Sequence, residues 1–270
     1  MSYLSDDMEE DQIPKIIALI PARGNSKRIP KKNIKSLSGH PLIAYTISAA
    51  KDSGIFSRII VSTEDENIAA IARKYGAEVP FLRPLEYSGD KSVDFDWIEH
   101  LLNKMVPSEL DENYTFSILR PTSPFRKPET IKRAWEVFCA NRGADSLRAI
   151  EKCSQHPAKM WYIKNNESSM EPVMMNPNLD ETPWHSQPYQ NLPKIYVQNA
   201  SLEIAHVRTV LSKRSISGER VIPFVTKEYE GFDINLSIDW YMAEYLVREG
   251  IAKLPEVKKP QALWKTGLKK

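Results

Sequence analysis

A chain of 270 residues with 41% apolar and 27% charged side chains has the composition of an ordinary globular protein and the length to bury a large core without metal or disulfide staples. Its formal charge of +2 argues against general nucleic-acid binding, and no run of about 18 apolar residues offers a membrane-spanning helix. The two cysteines, Cys139 and Cys153, follow no ligand or disulfide spacing, which with the absence of a signal-peptide pattern points to a reduced, cytoplasmic setting.

The first eleven residues carry five acids and no bases, so residues 1–12 read as an acidic tail. "KIIALIPARG" follows, a continuous apolar run ended by proline and glycine, as expected of a strand buried on both faces. "HPLIAYTISAAKDSGIF" has helical spacing with Gly54 as its stop, and "SRIIVSTED" is a second buried strand. A helix over "EDENIAAIARKYGAEV" closes at Gly76, and a short strand is expected at "EVPFLRP". Then come a helix at "SVDFDWIEHLLNKM", a strand at "YTFSILRPTSPF", a helix at "KPETIKRAWEVFCANRG" and a strand at "ADSLRAI". This alternation predicts an α/β fold with a doubly wound, mainly parallel sheet in three layers, ligands lying at the carboxyl ends of the strands.

Residues 151–195 break the rhythm. "NNESSMEPVMMNPNLDETPWHSQPYQNLP" is rich in proline and asparagine, and reads as a lid or a surface for a partner subunit. Strands return at "KIYVQNASLEIAHV" and "RVIPFVT". The last helix, "SIDWYMAEYLVREG", ends at Gly250, and residues 256–270 form a basic tail.

The densest chemistry lies in "IPARGNSKRIPKKN", where Arg23, Lys27, Arg28, Lys31 and Lys32 fall within ten positions. A turn at the end of a first strand, with Gly24 permitting unusual dihedrals, turns backbone N–H groups toward an anion. Arg23, Lys27 and Lys32 add charge-assisted bonds to phosphate. The pattern is neither a P-loop nor a dinucleotide fingerprint, and a merely solvated basic loop is the competing reading. Asp233 in "GFDINLSIDW" is either a helix cap or, beside a triphosphate, a Mg²⁺ ligand. In "LRPTSPFR" the Thr122 and Ser123 hydroxyls face the ligand edge between Arg120 and Arg126, although two prolines equally describe a rigid turn.

Taken together, "IPARGNSKRIPKKNI", "HPLIAYTI", "IIVSTEDENIAAIARKYGAEVPFLRP", "RPTSPFR", "HPAKM", "LPKIYVQNASLEI" and "FDINLSIDW" resemble the acylneuraminate cytidylyltransferase family, in family order from about residue 15 to 245. The resemblance implies a Rossmann-like nucleotidyltransferase domain over residues 13–255. It also implies a homodimer in which the 151–195 excursion reaches the partner, and a reaction of CTP with a nonulosonic acid. It places Ala22, Gly24, Asn25, Ser26, Lys32 and Asn33 in the nucleotide loop, with Asn33 reading the cytosine edge and Arg83 and Asp94 completing the nucleotide site. Arg23, Lys27 and Asp233 would be catalytic. Arg120, Thr122, Ser123, Lys159, Gln198 and Asn199 would face the sugar, and Mg²⁺ would sit on Asp233 and Asn235.

Three departures from the family pattern concern the sugar and metal side. The late D-x-D reads Asp233-Ile-Asn235, the glutamine before P-T-S-P is Arg120, and the arginine before the "LP" strand is replaced around Tyr189–Gln190, with the "NGA" turn reading "NAS". Arg120 therefore leaves open a second acceptor, a sugar 1-phosphate that would yield an NDP-sugar.

Overall fold

The structure is a computed structural model that describes residues 15–89, 91–105, 114–164, 168–178 and 180–258. The acidic tail and most of the basic tail lie outside the described residues. In chain order the elements are β1 (Ile16–Pro21), β2 (Ser36–Leu37), β3 (His40–Pro41), α1 (Leu42–Ser53), β4 (Arg58–Ser62), α2 (Glu66–Lys74), α3 (Asp94–Met105) and β5 (Thr115–Ile118). They continue with α4 (Pro128–Ala140), β6 (Ser146–Lys152), β7 (Trp161–Lys164), β8 (Ser169–Pro172), β9 (Tyr196–His206), α5 (Val207–Leu211), β10 (Val221–Val225) and α6 (Ser237–Arg248).

The chain divides into two units. The first comprises residues 1–149 and 199–270, and the second residues 150–198. A six-stranded sheet has the order β10-β6-β9-β5-β1-β4. β1 lies parallel to both β4 and β5, with Leu19 opposite Ile60 and Ile118. Every residue of β1 except Pro21 is buried, because helices cover both faces. On one face α1, α2 and α4 pack Ile43, Ile47, Ile68, Ala72, Ile131 and Phe138 against Ile16, Ala18 and Ile20. On the other, α3 and α5 pack Trp97, Leu101 and Val207 against Ile17 and Leu19. The three-layer expectation holds.

One strand departs from the mainly parallel course, and one expected strand is corrected. β9 runs antiparallel to β5, with Ile118 opposite Glu203 and Thr115 opposite His206. The segment expected as a strand at "EVPFLRP" makes one bridge, Ile60 to Glu78, after which two prolines remove the N–H donors that a ladder needs. Helix ends follow the punctuation in the sequence: Asp65 caps α2 through the N–H groups of Asn67 (2.7 Å) and Ile68 (3.1 Å). Gly54, Gly76 and Gly250 adopt the left-handed conformation that ends α1, α2 and α6.

The second unit is not wholly irregular. β7 and β8 pair as an antiparallel hairpin, Trp161 opposite Pro172. Lys159 Nζ donates to the carbonyls of His185 (2.7 Å) and Gln187 (2.5 Å), and His156 Nε2 lies 2.8 Å from the Pro193 carbonyl. Tyr162, Ile163, Met170 and Met175 are all more than half exposed.

Candidate active site

At the carboxyl ends of β1, β4 and β5 the loops converge on a cavity of about 320 Å³. Of the residues singled out in the sequence, Arg23, Ser26, Lys32, Asn33, Arg83, Asp94, Arg120, Thr122, Asp233 and Asn235 line it. They come from five separate stretches of chain, which the parallel strands bring to one edge.

The basic loop leaves β1 with Ala22 fully buried and its N–H bonded to the Ser62 carbonyl (3.0 Å). Gly24 was expected to supply an unusual dihedral, yet its φ is not positive, and Lys31 is the left-handed residue of this loop. Gly24 is needed instead for a close approach. A Cβ there would lie 2.7 Å from Asp65 Oδ2, and its N–H donates to Glu64 Oε1 (2.8 Å). Asn33 is buried and donates its amide to the Arg23 carbonyl (2.9 Å), bracing the loop across ten residues. Arg23 reaches the Gly89 carbonyl (2.9 Å), and Lys32 Nζ the Ile234 carbonyl (2.6 Å). Burial lowers the Lys32 pKa, Asp233 opposing and Arg28 and Arg23 adding to the shift. Asn25 and Lys27 are exposed members of the same loop and do not line the cavity.

Asp233 was open to two readings, and the cap belongs elsewhere. Asp239 Oδ2 accepts the N–H groups of Asn235 (2.8 Å) and Leu236 (2.7 Å) at the start of α6. Asp233 Oδ2 accepts from the Asn235 amide, while its Oδ1 is buried without a hydrogen-bond partner. The Ile234 N–H ties this stretch to the Thr122 carbonyl (2.8 Å). Among the described residues no group of three or more His, Cys, Asp or Glu side chains converges, so a cation here would need ligand oxygens to complete its shell.

The opposite wall is built differently. Arg83 is buried against Ser62, through Oγ (3.0 Å) and the carbonyl (2.8 Å), and stacks 4.8 Å from the Trp97 ring; burial brings its pKa down to about 10. Trp97 Nε1 donates to Asp94 Oδ1 (2.9 Å), and Asp94 Oδ2 accepts from Arg120 (2.5 Å). Arg120 also meets Glu203 Oε1 at 2.9 Å, and Arg148 pairs with the same carboxylate. Arg126 is fully buried and grips the carbonyls of Arg120 (3.2 Å) and Ser201 and the Thr46 hydroxyl (2.9 Å). Burial holds its pKa down to about 9, with the Arg120 charge adding to the effect.

Several expected sugar residues do not line this cavity. Ser123 Oγ is buried, and the Asn199 amide bonds Thr226 Oγ1 (2.9 Å) and the Ser201 N–H (3.2 Å), leaving Ala200 on the lining. Lys159 and Gln198 belong to the second unit. Arg28, noted only as part of the basic cluster, lines the cavity, as do Tyr87, Ser92, Trp97 and Ala200, which were not singled out. Glu203 sits behind it. Its one sequence signal is a lone acid inside the apolar strand "SLEIA", where burial demands a partner.

A doubly wound sheet carrying a cationic loop after its first strand, with a bare carboxylate oxygen beside that loop, defines a nucleotide-binding α/β protein of the nucleotidyltransferase kind. The chain belongs to the cytidylyltransferase family, whose model matches residues 17–254. It is 34% identical over 234 residues to CMP-N,N'-diacetyllegionaminic acid synthase of Legionella pneumophila, covering 86% of this chain and 96% of that one. It is 30% identical to the post-translational flagellin modification protein B of Campylobacter coli, covering 87% and 95%. Among solved structures, a CMP:2-keto-3-deoxy-manno-octonic acid synthetase complexed with CTP overlays with a TM-score of 0.60 at 13% identity, covering 87% of this chain and 99% of that one. That likeness bears on the fold alone.

Proposed function

We propose that this protein activates a nonulosonic acid with CTP, giving a CMP-sugar and pyrophosphate. The observation that carries the reading is the cavity's loop side, where Arg23, Arg28 and Lys32 stand beside the unpartnered Asp233 Oδ1. Membership of the cytidylyltransferase family and near-full-length similarity to a CMP-nonulosonate synthase support it.

In this reaction an acceptor hydroxyl oxygen bonds to the α-phosphorus of CTP, the α–β anhydride bond breaks, pyrophosphate leaves with the electron pair, and the hydroxyl proton passes to solvent. Such chemistry depends on positioning and charge neutralisation rather than on a covalent enzyme intermediate. Arg23, Lys27, Arg28 and Lys32 take the phosphate charge, and Asn33 and Gly24 keep the loop in shape. Arg83, held rigid by Ser62 and Trp97, adds fixed positive charge.

Asp233 and Asn235 are the residues that would hold Mg²⁺, since an orphaned carboxylate oxygen completed by phosphate oxygens is a donor set that this ion accepts. When bound it would offset phosphate charge and acidify the attacking hydroxyl. Asn235 contributes no charge, so affinity for the ion is expected to be modest. The exposed apolar side chains Tyr162, Ile163, Met170 and Met175 support a homodimer contacted through the second unit. No described helix is long and apolar enough to cross a membrane, and use of CTP suits the cytoplasm.

The sugar 1-phosphate alternative rested on a bare Arg120, and Asp94 and Glu203 already occupy that guanidinium. Pyrophosphate release decides the matter, measured with Mg²⁺, each of the four NTPs, and either N-acetylneuraminic, legionaminic or pseudaminic acid or a panel of sugar 1-phosphates. Release with CTP and a nonulosonic acid alone is the expected result. Release confined to sugar 1-phosphates, or none at all, overturns the proposal.

A further inference from the structure

The Arg120 wall contains more ionic structure than an anion receptor needs. Arg120 shares its guanidinium between Asp94 (2.5 Å) and Glu203 (2.9 Å), and Arg148 pairs with the far side of Glu203. Within this set two cations face two carboxylates, so the charge of Arg120 is offset by its own partners, Arg126 and Arg83 standing outside the set. The side chain of Glu203 is only 5% exposed, so it is not a solvated partner that a ligand would readily displace. Such a carboxylate is retained against its desolvation cost only with close cationic neighbours, here two arginines. The Glu203 backbone is pinned as well, its carbonyl accepting from Ser117 Oγ (2.9 Å). Arg148 is anchored from behind by a bond to Ser217 Oγ (2.6 Å).

We infer that Glu203 is a positioning residue that, with Asp94, orients Arg120 and cancels its charge. The wall then accepts an uncharged, acceptor-bearing part of the sugar, a hydroxyl or an acyl carbonyl, and rejects a phosphate. The inference rests on the nonulosonate reading and deepens it by naming what excludes sugar phosphates. A guanidinium with two of its bonds committed to carboxylates keeps N–H donors for a neutral oxygen. Its charge is already offset by two carboxylates, and a second anion would also meet the partly exposed Asp94 oxygens.

Calorimetric titration of N-acetylglucosamine 1-phosphate into the full chain tests this without turnover. Glu203→Gln removes one negative charge and keeps the side chain's size, so the sugar phosphate should bind at least tenfold more tightly than to the unsubstituted protein. The gain should vanish in the Arg120→Gln/Glu203→Gln double variant, which controls for binding at the basic loop. It should also be absent in Glu203→Asp, which keeps the charge. Asp94→Asn, at the more exposed carboxylate, gives a smaller gain in the same direction and serves if Glu203→Gln does not fold. In turnover, Glu203→Gln should raise the KM for the nonulosonic acid about tenfold and leave that for CTP within twofold. Unchanged sugar-phosphate binding, or a gain that survives removal of Arg120, overturns the inference. Failure of the unsubstituted protein to turn over any nonulosonic acid would instead defeat the functional reading, and the titration would still decide the role of Glu203.

Discussion

Arg23 and Arg120 border the same cavity, yet their guanidinium groups meet different company. Around Arg23 the lining carries Arg28 and Lys32 against the carboxylate of Asp233, and the Arg23 side chain donates to a neutral carbonyl at Gly89. Arg120 is held between Asp94 and Glu203, with Arg148 completing the set. Arg23 stands among other cations of its loop, whereas Arg120 is committed to carboxylates. The chemical meaning of an arginine at a site thus lies in what surrounds it. On the proposed reading, a triphosphate would meet the first wall and a neutral sugar face the second.

The sharpest way to break this contrast is Asp233→Ala. Removing the carboxylate makes the loop side more cationic, so CTP titrated without Mg²⁺ should bind as well as before or better. Turnover should fall by roughly 10²–10³-fold if Asp233 acts on the reacting phosphate. Comparing kcat for pyrophosphate release with the Kd for CTP separates the two effects, and parallel losses in both would show that Asp233 is merely part of the binding surface.

Arg126→Met examines the base of the second wall. The substitution keeps much of the volume but strips donors from the carbonyls of Arg120 and Ser201 and from the Thr46 hydroxyl. Relief of a buried charge offsets part of the loss, and a net destabilisation of about 3 kcal/mol is expected from denaturant unfolding. Arg126→Lys should not restore stability, because an ammonium cannot span the three acceptors. A neutral outcome would mean that the loop holds its shape without the clamp.

A smaller effect concerns a carboxylate away from the cavity, a control for how these acids behave when fully bonded. Hydrogen bonding from Lys213, then from the Arg220 and Glu219 N–H groups, depresses the Asp145 pKa from 3.8 to about 2. The depressed value means that ionised Asp145 stabilises the fold above its unfolded pKa, and that this contribution is lost as pH falls from about 4 through about 2. It amounts to roughly 2 kcal/mol. Unfolding free energies between pH 7 and pH 2 should therefore decline less in Asp145→Asn than in the unsubstituted protein, and equal slopes would count against the assignment.

Much of this fold was legible because its signals are local. Buried strands appear as short apolar runs, helix ends as Asp65 or Gly54, and the site edge as the loops after β1, β4 and β5. The antiparallel course of β9 was not legible, since "KIYVQNASLEIAHV" specifies a strand but neither its direction nor its neighbours. The β7–β8 hairpin was missed because its strands are exposed and alternate nothing. In the site, Arg23, Lys32 and Asp233 could be read from type and position. The partners of Arg120 could not, because Asp94 lies 26 residues before it and Glu203 lies on a strand whose pairing was unknown. Gly24 shows a milder failure: the residue was rightly noticed, but a neighbouring carboxylate rather than a dihedral explains it.

Arg126 hydrogen-bonds the carbonyl of residue 120 rather than its side chain. The loop is therefore a socket, its backbone fixed by its own downstream residue whatever side chain is mounted at position 120. A lineage, or an engineer, can exchange that side chain together with the one at position 203 and retarget the pocket without rebuilding the scaffold. On the inference above, acceptor choice would rest on position 120 and the charged side chains around it, mounted on a loop whose backbone is held separately.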